Sequence, residues 1–141
     1  ERVLALTEQI GGPLALVGWS LGGYIAREVA REHPLAVSRV VTLASPIRGG
    51  PKYTAVAPLY RVRGFDLDAI EQAINARDAT PLSVPVSCLY SRNDGVVDWR
   101  AVIDPENPRA RNIEVDCSHM AMGFDPDVLD KVVAELCRDE R

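Results

Sequence analysis

The chain has 141 residues and a formal net charge of −4, with 47% hydrophobic and 26% charged side chains. That balance suits a soluble globular domain with a single core, and the lack of a basic stripe argues against nucleic acid or an anionic membrane as the main partner. Apolar runs are short and interrupted, so the pattern contains no integral membrane segment, and Glu1-Arg2-Val3-Leu4 has no signal-peptide character.

Residues 1–10 carry Val3, Leu4, Leu6 and Ile10, the tail of an amphipathic helix that Gly11-Gly12-Pro13 ends. The chain has no initiator Met, so a trimmed start is expected and export stays open. Leu14-Ala15-Leu16-Val17-Gly18 is wholly apolar, as expected of a parallel strand covered on both faces. Residues 21–32 read as a helix with Leu21, Ile25 and Val29 at spacings of four and Pro34 just past its end. Val40-Val41-Thr42-Leu43-Ala44 is a second buried strand.

From Pro46 to Pro81 the pattern loosens, with a break at Gly49-Gly50-Pro51 and scattered Tyr53, Tyr60 and Phe65. Asp66 then caps a helix presenting Leu67, Ile70 and Ile74. Val84 to Tyr90 forms a third strand, Trp99 to Ile103 a short helix, and Asn112 to Asp116 a fourth strand. The last helix is the clearest: Asp125 caps it, Pro126 opens it, and Leu129, Val132, Val133 and Leu136 share one face. Strands separated by helices predict an α/β fold, a parallel sheet flanked by helices. The expectation is a single domain over 1–141, with 46–83 as a lid-like excursion from the sheet.

Gly18-Trp19-Ser20-Leu21-Gly22 is a G-x-S-x-G pattern with an apolar strand running in and a helix running out. A serine on such a turn is lifted out of the sheet, and small residues on either side let strand and helix approach. The N–H of Leu21 then points at a developing oxyanion, beside the positive end of the helix dipole. A bare Gly-rich turn with Ser20 as N-cap is the competing reading.

A serine hydroxyl needs a base, and the base an orienting carboxylate. The chain has two histidines. His33 stands at a helix C-terminus and reads as structural, whereas His119 follows the fourth strand and should open at the same sheet edge as Ser20. Two acids share the loop after the third strand. Asp94 precedes Gly95 in a tight turn and is preferred, while Asp98 precedes a short helix as a natural N-cap. Asp116 is a more distant candidate. The chain order Ser20, Asp94, His119 differs from both well-known protease orders of the same triad.

Leu16 to Gly23, Tyr90 to Val97 and Ser118-His119-Met120 resemble the nucleophile elbow, acid loop and histidine loop of bacterial lipase/esterase-like α/β-hydrolases. The resemblance spans nearly the whole chain. It implies hydrolysis of a small-molecule or lipid carboxylic ester through an acyl-enzyme, with no metal and no organic cofactor, and it gives 46–83 the place of a variable lid. It covers only the last four strands of an eight-stranded fold, with the elbow strand first. The unmatched front half would carry the second oxyanion donor and would cover the elbow strand. The expectation is therefore either part of a larger enzyme or a pared-down hydrolase whose open strand edge is covered in a homodimer or higher oligomer.

An acyltransferase, thioesterase or peptidase using the same triad, and a non-catalytic scaffold, are the alternatives. Tyr53, Leu59, Tyr60 and Phe65 are candidates for an acyl pocket or for plain packing. Cys88, Cys117 and Cys137 make no disulfide framework, which favours a cytoplasmic setting.

Overall fold

The computed structural model describes residues 1–138. Its elements in chain order are α1 (Arg2–Ile10), β1 (Leu14–Trp19), α2 (Leu21–Glu32), β2 (Val37–Leu43), a 3₁₀ turn (Gly50–Tyr53), α3 (Ala57–Val62), α4 (Leu67–Asp78), β3 (Val86–Tyr90), α5 (Trp99–Val102), β4 (Ala110–Glu114) and α6 (Pro126–Leu136). The four strands form one sheet in the order β1-β2-β3-β4, every pair parallel. The predicted architecture, a parallel sheet flanked by helices, is the one observed.

Strand alternation divides the core into two layers. Val40, Val86 and Cys88 face Ala26 and Ala30 of α2, with Leu16 packed against the same cluster. Val41, Leu43 and Leu89 face Val128 and Val132 of α6, with Met122 beneath the loop that precedes it. Asp66 and Asp125 cap α4 and α6 as expected, each accepting two backbone N–H groups.

Several boundaries differ from the sequence reading. β2 begins at Val37, β3 at Val86 and β4 at Ala110, the last ending at Glu114 so that Asp116 lies beyond it. Pairing sets these limits, since Ala110 to Glu114 is the stretch in register with Val86 to Tyr90. α3 and the 3₁₀ turn had no periodic apolar signal to reveal them.

The expectation that β1 is covered on both faces is corrected. β1 is the terminal strand of the described sheet, α2 covers one of its faces, and Val17 on the other face is 46% exposed. α6 packs against β2 and does not shield that face. α1 buries none of its residues, and Ile10 is 66% exposed. Among the described residues no helix is long and apolar enough to cross a membrane.

Candidate active site

In a parallel sheet every strand ends at the same edge, so the loops after β1, β3 and β4 gather there. Ser20 follows β1 directly, with φ 53° and ψ −125°, one of two non-glycine residues of positive φ in the described chain. Such a backbone is strained for a side chain carrying Cβ and persists only where neighbours dictate it. Two neighbours do. The Ser20 N–H donates to the Leu43 carbonyl at 2.8 Å, and the Gly23 N–H donates to the Ser20 carbonyl at 3.1 Å. Ser20 occupies the N-cap position of α2, yet its side chain makes no capping bond, so the capping role offered by the sequence is not taken up.

The close approach of strand and helix falls on Gly18, the first glycine of the pattern, and on Gly23 rather than on Gly22. A Cβ on Gly18 would lie 2.4 Å from the Gly22 carbonyl oxygen, and one on Gly23 would lie 1.9 Å from Ser45 Oγ. A Cβ on Gly22 would meet nothing. Gly22 thus supplies the backbone on which Gly18 packs, while Gly23 is the residue pressed against the end of β2.

Asp94 is buried at 5% exposure, and its two carboxylate oxygens have separate tasks. Oδ1 accepts the backbone N–H groups of Val96 and Val97, at 2.8 and 2.6 Å. Oδ2 lies 2.8 Å from Nδ1 of His119, itself buried at 6% exposure. Nε2 of the imidazole has no partner among the described residues, and neither has the Ser20 hydroxyl. Of the two acids on this loop, Asp94 contacts the imidazole, whereas Asp98 caps α5 by accepting the Arg100 N–H at 2.9 Å. Asp116 instead accepts from the Asn93 side chain at 2.7 Å, and His33 is the C-cap of α2.

Trp19 joins the elbow to the histidine loop. Its ring centroid is 5.8 Å from that of His119 with the planes tilted by 39°, and Phe124 meets the indole edge-on at 6.2 Å. Gly123 lets the loop pass close, since a Cβ there would already touch the indole at 3.5 Å. No local signal predicts this contact, because the second position of G-x-S-x-G carries no fixed chemistry. Beside the same loop, burial pushes the Cys117 thiol up, and its Sγ lies 3.8 Å from Met122 Sδ.

A cavity of about 380 Å³ opens beside Ser20 and Leu21. Its walls are Pro46 and Pro51, Val56 and Tyr60, and the Ile70, Ala73, Ile74 and Arg77 face of α4. Of the aromatic and aliphatic residues considered for an acyl pocket, Tyr60 lines it. Tyr53 turns to Glu71, donating its hydroxyl at 2.5 Å, and Phe65 packs behind Tyr60 at 5.5 Å between centroids. Leu59 is half exposed and lies outside the lining. The spacing of 70, 73, 74 and 77 on one helical face was the sequence signal for this wall.

The sequence profile of the alpha/beta hydrolase family matches residues 1–137. Over a stretch of 40 residues the chain is 45% identical to the biotin biosynthesis bifunctional protein BioHC of Teredinibacter turnerae, a match covering 28% of this chain and 7% of that protein. Among solved structures it is similar to the alpha/beta hydrolase domain-containing protein 10 from mouse, with a TM-score of 0.61, 20% identity, and coverage of 96% of this chain and 68% of that one. The Paleococcus ferrophilus monoacylglycerol lipase gives 0.65 at 15% identity, covering 96% of this chain and 72% of that one. A thermophilic esterase from Thermogutta terrifontis gives 0.62 at 17% identity, covering 93% and 67%.

Proposed function

This chain belongs to the alpha/beta hydrolase family, and on that premise we propose that it hydrolyses carboxylic esters through an acyl-enzyme at Ser20. The observation that carries the reading is the buried bond between His119 Nδ1 and Asp94 Oδ2, 2.8 Å long, at the sheet edge where Ser20 stands. With Nδ1 engaged by the carboxylate, the neutral imidazole keeps its lone pair on Nε2, the nitrogen that can take a proton from a hydroxyl.

His119 takes the Ser20 proton as Oγ bonds to the ester carbonyl carbon, and the carbonyl oxygen becomes an oxyanion. The Leu21 N–H, first in α2, donates to that oxygen with the helix dipole behind it. His119 then gives its proton to the departing alkoxide as the ester C–O bond breaks. Water repeats the sequence on the acyl-enzyme, releasing the acid and restoring Ser20. No metal or organic cofactor takes part in this scheme.

The reading extends to the rest of the chain. Residues 46–83 act as the lid of a single domain, with Val56, Tyr60 and α4 over the nucleophile. A second copy of the chain covers the open β1 edge and the exposed face beside it that carries Val17. The three unpaired thiols fit a reducing cytoplasm.

The test is labelling by a fluorophosphonate together with turnover of p-nitrophenyl esters. Wild-type protein is expected to take the label at Ser20 and to release nitrophenol, and Ser20→Ala to do neither. Turnover that persists in Ser20→Ala removes the nucleophile assignment. Light scattering reports whether a dimer forms.

A further inference from the structure

The cavity beside Ser20 is apolar along α3 and the start of the α4 face, but it does not stay apolar. Ile70, Ala73 and Ile74 are followed one turn later by Arg77, and across from it α2 presents Tyr24. Ser20, the N-cap of α2, and Tyr24 in its first turns are four positions apart, about one turn of helix. One cavity is therefore lined both by the nucleophile and by a guanidinium paired with a phenol.

The two polar groups are arranged to receive an acceptor. Arg77 makes both its protein bonds through Nη1, to the Tyr24 hydroxyl at 3.4 Å and to Glu28 Oε2 at 3.0 Å. Nε and Nη2 have no partner among the described residues, and together they form the edge that a carboxylate grips with two parallel bonds. Glu28 does not spend its charge on Arg77 alone, because its Oε1 accepts from Arg31 Nε at 3.3 Å. Tyr24 uses its oxygen to accept from Arg77, which leaves its own O–H to donate. Burial, reinforced by the Glu28 charge, pushes that phenol up, so the proton is present at neutral pH. The Arg77 side chain is 59% exposed, so a hydrated carboxylate reaches it without full desolvation.

We propose that Arg77 and Tyr24 are the specificity-determining end of the cavity, and that the preferred substrate is an ester whose short apolar acyl chain ends in a carboxylate. The inference rests on Ser20 being the nucleophile. The carboxylate belongs to the acyl half because that half stays bonded to Ser20 while the alcohol leaves, so the cavity at the nucleophile holds it longest.

The test compares wild type with Arg77→Met and Arg77→Lys on monoethyl adipate and ethyl hexanoate, which share a chain length and differ in the terminal group. Wild type is expected to favour the adipate ester. The ratio of kcat/KM for the two esters should fall about tenfold in Arg77→Met, chiefly through KM, and recover in part in Arg77→Lys. The ratio divides out any general loss of activity. Calorimetry with adipate itself needs no turnover and should show the same dependence on Arg77. Adipate that binds Arg77→Met as tightly as wild type, or does not bind at all, overturns the proposal even where Ser20 takes a fluorophosphonate. Binding that depends on Arg77 in a protein that takes no fluorophosphonate overturns the nucleophile reading instead. Equal Arg77-dependent preference for the acetate ester of a hydroxyhexanoate moves the carboxylate to the alcohol half and overturns the acyl assignment.

Discussion

Asp94 holds His119 twice: its carboxylate Oδ2 lies 2.8 Å from the imidazole Nδ1, and its backbone carbonyl accepts the His119 N–H, also at 2.8 Å. The second bond ties the loop after β4 to the loop after β3, so the ring is oriented by main chain and side chain together. Asp94→Asn keeps an oxygen for the Val96 and Val97 N–H groups but can turn an amide N–H towards Nδ1, which favours the wrong imidazole tautomer. Ester turnover is expected to drop by roughly 10²–10⁴ with little change in melting temperature. Asp98→Asn, which alters only the cap of α5, should keep near wild-type turnover. A comparable drop in both variants would show that Asp94 is not the distinctive acid.

The glycines of the elbow should separate cleanly in a stability series. Gly18→Ala and Gly23→Ala force a Cβ to within 2.4 Å of backbone and 1.9 Å of Ser45 Oγ. Each is expected to cost about 1–3 kcal/mol or more by overpacking. Gly22→Ala meets open space inside α2 and should be neutral or stabilising by up to about 1 kcal/mol, since alanine is the better helix former. Urea midpoints of the three variants measure the order.

Arg27 is 3% exposed on α2, with Nη2 2.7 Å from Asp104 and 3.5 Å from Asp78. It links α2 to the end of α4 and to the loop after α5. Arg27→Met removes the buried cation from the half-buried Asp104 and is expected to destabilise the fold by about 2–4 kcal/mol. Adding Asp104→Asn should return part of that loss, a coupling read from a double-mutant cycle by chemical denaturation. Strict additivity would show that the pair does not act as a unit.

Cys88 is fully buried, and burial pushes its thiol up to about 11. At pH 8 the native thiol is therefore protonated and out of reach, whereas Cys137 is exposed. Iodoacetamide on native protein should modify Cys137 within minutes and Cys88 only after denaturant is added, as mass spectrometry of peptides would report. Rapid native modification of Cys88 would show that β3 opens readily.

Lys52 donates to Asp68 at 2.6 Å and to Glu71 at 2.5 Å, which holds both carboxyls below their ordinary range. A carboxyl that is more acidic when folded contributes stability above its unfolded value, and that contribution is lost as pH falls through the folded one. Acid should therefore loosen the 46–83 segment below the ordinary carboxylate range, near pH 4. Lys52→Met should remove that part of the acid dependence, as hydrogen exchange of α4 across a pH series would show.

Much of this protein is written locally. Strand–turn–helix around Ser20, Asp125-Pro126 ahead of α6 and Asp66 ahead of α4 are short-range signals, because backbone strain, capping and apolar periodicity act over a few residues. Chain order and the two-histidine limit singled out His119, and one parallel edge was enough to predict which loops meet. Long-range packing decided what local chemistry leaves open. Register with β3 fixed the ends of β4, and the position of α6 over β2 left Val17 bare. The end of β2 made Gly23 rather than Gly22 the crowded glycine. Turn chemistry favours Asp94 over Asp98 in a line of letters, but it cannot show which carboxylate meets the imidazole. Only a fold that puts one carboxylate under an imidazole and the other at a helix start can tell them apart, because a hydrogen bond depends on position in space and not on distance along the chain.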